Sequence, residues 1–333
     1  MANPTVAVLG TGGTIASSDT ERGAEAKRDA ADLLDAVPDL ADHADLRVEE
    51  VAKRLSFEMD FETVLALAER VEGVSERVDG IVVTHGTDTM AECAFALDHL
   101  REGSVPVVFT GAQRHPDLVS ADGPANLLAA VRSAADDRLR EAGGTYVAFD
   151  EELHAASTVE KLHTSALGGF ESPTVGPVAS LLRHGVEFHR PAGSDTPRLA
   201  VDTVTAHVPV VSSGLGVDDA TFRRELDAGA DGIVLEATGI GNTSPSLGRA
   251  VDDAVSAGVP VVVASRSPAG RVQPVYGSPG GSRSLSEYGA LCGGRLSAAK
   301  ARVRLLLALS RTDRKPPVAA LFPPWHADGE ETT

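Results

Sequence analysis

Lysine is scarce in this chain, and positive charge of any kind is outnumbered. Only Lys27, Lys53, Lys161, Lys300 and Lys315 are lysines among 30 basic residues, against 48 Asp and Glu, for a formal net charge of -18. A surface that holds nucleic acid needs the opposite sign, so no nucleic-acid partner is expected. The carboxylates are spread along helical stretches rather than gathered in a tail, which predicts a solvated, self-repelling surface. Cysteine is nearly absent too. Cys93 and Cys292 lie in apolar contexts, and buried thiols in a reducing compartment are expected in preference to a disulfide or metal pair. The N-terminus lacks a basic n-region, and no apolar run is long enough to span a bilayer. A soluble, cytoplasmic protein without membrane contact is expected.

A chain of 333 residues can bury one large core or two ordinary ones, and two domains are the prior. The stretch from Asp79 to Leu100 organises the rest. Ile81, Val82 and Val83 form a short continuous apolar run, as in a strand buried on both faces. From Met90 the period changes, and Met90, Cys93, Ala94, Leu97 and Leu100 fall on one helical face. Between strand and helix lie Thr84, His85, Gly86, Thr87, Asp88 and Thr89. A helix cap needs one hydroxyl or carboxylate; four here point to ligand binding at the carboxyl end of a parallel strand.

Residues 5–9 read as the first buried strand and run into Gly10-Thr11-Gly12-Gly13-Thr14-Ile15-Ala16. The loop fails the dinucleotide fingerprint at Ile15 and lacks the lysine of a P-loop. Its glycines still allow backbone amides to approach a ligand closely. Residues 17–30 read as an exposed loop, followed by a helix near Ala31–Ala36 and a strand near Leu46–Val51. Val107–Phe109 is another buried strand, and Ser120-Ala121-Asp122-Gly123-Pro124 reads as a helix entrance. Such alternation calls for a mostly parallel sheet covered on both faces. The fold class is α/β: a larger N-terminal parallel-sheet domain, flavodoxin- or Rossmann-like, plus a smaller C-terminal α/β domain. Residues 1–190 are expected to form the first, 191–198 a linker, 199–320 the second, and 321–333 a loose tail. Lys161 has apolar neighbours and is the only lysine between residues 54 and 299, although most lysines are solvated.

Thr11-Gly12-Gly13-Thr14-Ile15-Ala16 and Thr84-His85-Gly86-Thr87-Asp88-Thr89-Met90 together resemble the bacterial- and archaeal-type L-asparaginase family, which includes glutaminase-asparaginases. Ser120–Pro124 with Asn126-Leu127, Gly239-Ile240-Gly241-Asn242, Ser265-Arg266, Tyr288-Gly289 and Lys300–Val303 extend the likeness over about residues 4–312. The resemblance implies that Thr11 is the nucleophile and that Thr87, Asp88 and Lys161 form the second constellation of the same site. It implies that Ser56 holds the substrate α-carboxylate, that Asp88 also meets the α-ammonium, and that Ala112, Gly12 and the Thr87 amide lie near the scissile amide. It also implies a homodimer or homotetramer. No cofactor and no metal is expected.

The chain departs from the family pattern in three places. Residues 17–30 contain no tyrosine, no glutamate matches near Ser282, and Ser244 replaces the second asparagine of Gly-x-Gly-Asn-x-Asn. The base for Thr11 is therefore open. Either Tyr276 or Tyr288 substitutes for the missing phenol, or Thr87 with Lys161 performs the attack. The leading activity is hydrolysis of L-asparagine, with L-glutamine as the alternative substrate. The alternatives are the amidase subunit of a tRNA-dependent amidotransferase, against which the start of the first strand at residue 5 and the acidic charge both weigh, and a non-catalytic phosphate- or nucleotide-binding module.

An acidic, lysine-poor composition is also what salt adaptation produces, because counterions relieve the self-repulsion. Thermal melts across a salt series are expected to show a rising midpoint and unfolding in dilute buffer; full stability in dilute buffer removes this reading.

Overall fold

A computed structural model describes residues 3–13, 15, 17–20, 23–26, 37–311, 313 and 315–325. The expected helix near Ala31–Ala36 lies outside them. The chain divides into two compact units, Met1–Arg198 and Leu199–Thr333.

In the first unit the strands are β1 (Thr5–Gly12), β2 (Ser17–Thr20), β3 (Gly23–Ala26), β4 (Asp45–Arg54), β5 (Gly80–Thr84) and β6 (Val107–Thr110). They continue with β7 (Thr145–Phe149), β8 (Glu152–Ala155), β9 (Glu160–Lys161), β10 (Phe170–Glu171), β11 (Ala179–Leu182) and β12 (Gly185–Phe188). The main sheet runs β12-β11-β8-β7-β6-β5-β1-β4. Its β4-β1-β5-β6-β7 portion is parallel and the remainder antiparallel. Among those five parallel strands the chain order is second, first, third, fourth, fifth. That is the doubly wound order whose direction reverses between the first and third strands, here β1 and β5, and ligands of such sheets bind outside that crevice. All residues of β5, β6 and β7 are buried, as their near-continuous apolar runs require. Val6, Val8, Val82 and Val108 pack one face of the sheet against Leu127, Ala130 and Val131 of the helix Gly123–Ala135.

Two expectations need correction here. Sequence pattern makes residues 17–30 loop throughout, but β2 and β3 pair as an antiparallel hairpin. The period of the helix Met90–Leu100 predicts one buried face, yet ten of its eleven residues are buried. The segment 191–198 covers two of the additional buried residues, Asp98 and His99. Ser194 Oγ donates to Asp98 (2.6 Å), His99 Nδ1–H donates to the Pro197 carbonyl (2.6 Å), and Gly193 N–H donates to the Tyr146 hydroxyl (2.8 Å). The Pro- and Gly-containing stretch expected as a linker thus makes hydrogen bonds to the first unit. Cys93 is free and buried, and burial pushes its thiol up to about 12.

The second unit is a four-stranded parallel sheet, β13 (Val210–Ser212), β14 (Ile233–Ala237), β15 (Val261–Ser265) and β16 (Leu291–Cys292), in chain order. Pro209 immediately precedes the edge strand β13, where its missing N–H costs no ladder bond. Ser244 caps the helix Pro245–Ser256 by accepting from Leu247 N–H. The chain stays packed into the expected tail: Leu321 and Phe322 are buried, and the Trp325 indole N–H donates to the Ala290 carbonyl (2.8 Å). Among the described residues no helix is long and apolar enough to cross a membrane.

Tyr146 is fully buried, with its hydroxyl donating to Gly143 O (2.7 Å) while accepting from Gly193. Tyr146→Phe leaves the Gly193 N–H without that acceptor and is expected to cost about 1–3 kcal/mol, read as a lower urea midpoint; an unchanged midpoint contradicts the tie.

Candidate active site

The ends of β1 and β5 meet backbone to backbone. A methyl group on Gly13 would lie 2.3 Å from Gly86 N and 2.5 Å from its Cα, and Gly13 also holds φ +94. Gly86 in turn has no room for a side chain, since a Cβ there would come within 2.8 Å of Ser56 Oγ. Three chain segments 30 or more residues apart therefore touch where only glycine permits the approach. Thr11 is buried, and its hydroxyl donates to the Thr84 carbonyl across this contact (2.8 Å). Ser56, also buried, accepts from Asp88 N–H (3.2 Å), and its carbonyl accepts from the Thr89 hydroxyl (2.7 Å).

Lys161 arrives from β9, which pairs with β10. Its Nζ donates to Thr87 Oγ1 (2.9 Å) and to Asp88 Oδ1 (2.7 Å). The lysine side chain is 14% exposed and the aspartate side chain 55%, so the pair points from a covered floor to an open mouth. Thr11, Ser56, Thr87, Asp88 and Lys161 are thus gathered at the crevice where the sheet order reverses. A hydroxyl, a lysine-held second hydroxyl and an outward carboxylate can between them engage a small zwitterion and a carbonyl carbon.

Ala112 follows β6 and, like Ile15 of the first turn, is buried in the core cluster of the first unit. Sequence pattern makes Asp122 part of a helix entrance, yet its side chain makes no capping bond to the helix Gly123–Ala135. Its carboxylate instead accepts from Gln113 N–H and Arg114 N–H, both 2.9 Å, and from Asn126 Nδ2 (3.1 Å). Asn126 also donates to the Gly111 carbonyl (3.0 Å) and accepts from Asp150 N–H (3.0 Å), bridging the ends of β6 and β7. The sequence offers only an acidic residue at a helix start, and a cap reading absorbs it.

Sequence pattern assigns His85 no task. It is fully buried, and its Nδ1–H donates to the Gly86 carbonyl (2.6 Å). Burial pulls its pKa down to about 4, only partly offset by that bond. It is a neutral imidazole supporting the turn from beneath. Tyr276 and Tyr288 belong to the second unit. Tyr276 is exposed, whereas Tyr288 is partly buried against that unit's own core. Among the described residues no group of three or more His, Cys, Asp or Glu side chains is placed to hold a metal ion.

Against known families, the model described as "Asparaginase, N-terminal" matches residues 5–193. The model described as "Glutaminase/Asparaginase C-terminal domain" matches residues 207–322. The chain belongs to the asparaginase family. This asparaginase-family chain is 33% identical over 331 residues to L-asparaginase 2 of Escherichia coli K12, covering 97% of its own length and 93% of that protein. It is 35% identical over 320 residues to a subunit of the glutamyl-tRNA(Gln) amidotransferase of Methanothermobacter thermautotrophicus, covering 93% and 73% respectively. The crystal structure of a probable cytoplasmic L-asparaginase from Campylobacter jejuni superposes with a TM-score of 0.83 at 30% identity, over 96% of this chain and 99% of that one. Family and relatives together support an amidohydrolase.

The buried imidazole sets a pH dependence. Unfolded, His85 takes a proton near 6.5; folded, only near about 4. Between those values the unfolded state binds more protons, so stability complete above the first value is lost as pH falls toward the second, by ~3 kcal/mol. His85→Gln is expected to flatten the fall in urea midpoint from pH 6.5 to 4; an unaltered slope contradicts it.

Proposed function

We propose that the chain hydrolyses L-asparagine to L-aspartate and ammonia through an acyl-enzyme on Thr11. The observation that carries this reading is the packing of the Thr11 turn on the Thr87–Asp88 turn, with Lys161 Nζ 2.9 Å from Thr87 Oγ1. The substrate α-carboxylate is received by Ser56 and the α-ammonium by Asp88. Thr11 Oγ1 attacks the side-chain carbonyl and gives up its proton, the Gly12 and Thr87 amides receive the oxyanion, and the amide nitrogen gains a proton and leaves as ammonia. Each amide donor is worth roughly 2.7–4 kcal/mol in such chemistry. Water then releases aspartate and restores the hydroxyl.

A threonine hydroxyl needs a base, and in the free site its proton is held by the Thr84 carbonyl, which cannot accept it outright. Thr87, whose hydroxyl accepts from Lys161 Nζ (2.9 Å), relays the Thr11 proton towards the leaving nitrogen, and the bond of Lys161 to Asp88 (2.7 Å) holds the lysine in that line.

The amidotransferase-subunit reading is favoured by the 35% identical archaeal relative but opposed by the net charge of -18. Preference for asparagine over glutamine turns on one methylene, worth about 1–3 kcal/mol. A cytoplasmic homodimer or homotetramer completes the proposal. The cytoplasmic description of the Campylobacter neighbour supports the location, and the family likeness supports the assembly.

Ammonia release from asparagine and glutamine, with quenched single-turnover trapping and peptide mapping, tests the scheme. Label is expected on Thr11, and Lys161→Met is expected to lower kcat by about 10²–10⁴-fold. Label on Thr87 reverses the nucleophile assignment, and absence of ammonia from both substrates defeats the activity.

A further inference from the structure

Lys161 stands on a short support. β9 and β10 contribute two residues each to a ladder that is separate from the main sheet, pairing Lys161 with Phe170 and Glu160 with Glu171. A ladder of that length is marginal by itself, so the position of Lys161 depends on what holds the pair. Phe170, directly opposite Lys161, is buried with its ring on Phe149 of β7 (centroids 4.7 Å apart). One ring contact leaves the hairpin free to turn about it. A second attachment is polar and lies where the two ends of the hairpin come together. Thr158, just before β9, and Ser172, immediately after β10, have hydroxyl oxygens 3.0 Å apart. Ser172 is buried, and its Oγ lies 3.2 Å from Nδ1 of His154, itself buried on β8 of the main sheet. At one end of this line His154 Nε2 faces Glu152 Oε2 (3.2 Å), and at the other Arg190 Nη2 donates to Thr158 Oγ1 (3.4 Å). With His154 neutral and protonated on Nε2 the line runs one way, from the Arg190 cation through Thr158, Ser172 and His154 to the Glu152 carboxylate. Each hydroxyl then accepts once and donates once.

We infer that Ser172 is a positioning residue for Lys161, joining both ends of the β9–β10 hairpin to His154 on the main sheet and so holding the lysine ammonium against Thr87 and Asp88. The inference rests on the proposed function, in which Lys161 keeps Thr87 in line as a proton relay. It assigns Ser172 no contact with substrate. Its hydroxyl touches both the entry of the hairpin and the main sheet, and in a dry setting such a group stays with its partners because leaving them unpaired is costly. Without it, Thr158 and His154 lose the atom that connects them, and the lysine, on its flexible four-carbon stem, loses a fixed root. Ser56 and Asp88, which receive the substrate's charged groups in the proposed function, belong to other segments. The effect of Ser172 therefore falls on turnover and not on KM.

The test measures kcat and KM for asparagine in the wild type, Ser172→Ala, Lys161→Met and the double variant. Ser172→Ala is expected to lower kcat about tenfold, the scale of one buried hydrogen bond, with KM held within about twofold. In the Lys161→Met background the same substitution is expected to change kcat by less than about twofold, because the two residues act as one unit. His154→Asn, whose amide stands where Nδ1 stood, is expected to retain most of kcat, whereas His154→Leu falls with Ser172→Ala. The position of the ammonium is also read without activity, by acylating lysines with an N-hydroxysuccinimide ester and mapping the peptides. Lys161, whose side chain is 14% exposed, is expected to react severalfold faster in Ser172→Ala than in the wild type, relative to the exposed Lys53. Where Ser172→Ala does not accumulate as folded protein, Thr158→Val carries the same comparisons. Fully additive losses in the double variant, or an unchanged ratio of Lys161 to Lys53 labelling, overturn the inference while the proposed activity stands. A wild type that releases no ammonia from asparagine defeats the activity, and the labelling ratio alone then decides the inference.

Discussion

The contact of Gly13 with Gly86 is the constraint on which the site depends. Two parallel strands that are neighbours in a sheet deliver their carboxyl ends to the same edge, but ordinary side chains would hold the following turns several ångströms apart. Removing the Cβ from both turns lets their backbones touch, and Thr11 then reaches the Thr84 carbonyl. Ser56 joins through the same glycine. Any side chain at Gly13 must displace a backbone rather than another side chain, and it must also adopt a φ of +94.

Around that contact the polar groups are graded by exposure. His85 lies beneath the turn, dry and neutral, where a charge would have no water to stabilise it. Thr11, Thr87 and Ser56 form a covered middle layer of hydroxyls. Lys161 and Asp88 span the transition from cover to solvent. The permanent charges stay where desolvation is cheapest.

Much of the fold was legible in the sequence because its strands are short and buried on both faces. Ile81–Val83 and Val107–Phe109 are continuous apolar runs with no other local explanation, and both are central strands. The helix Met90–Leu100 was legible as a helix but not in its burial, because the chain that covers Asp98 and His99 returns about a hundred residues later. The segment 191–198 carries the composition of a linker, and composition does not register that Tyr146 and Asp98 offer it partners. Ser120–Pro124 was legible as a helix start, whereas the destination of the Asp122 carboxylate was not, since a cap and a loop clamp use the same residue type.

The sequence by itself determined the local chemistry: which stretches are strands, where glycine replaces side chains, and which hydroxyls, carboxylate and lysine stand near strand ends. It also determined the family, through two motifs separated by more than seventy residues. Tertiary structure alone decided who meets whom. Lys161 reaches Thr87 across 74 positions and Thr11 reaches Thr84 across 73, and no periodicity within a strand or helix encodes such distances. They follow from sheet order, which is set by the burial of whole faces at once rather than by any one segment's pattern.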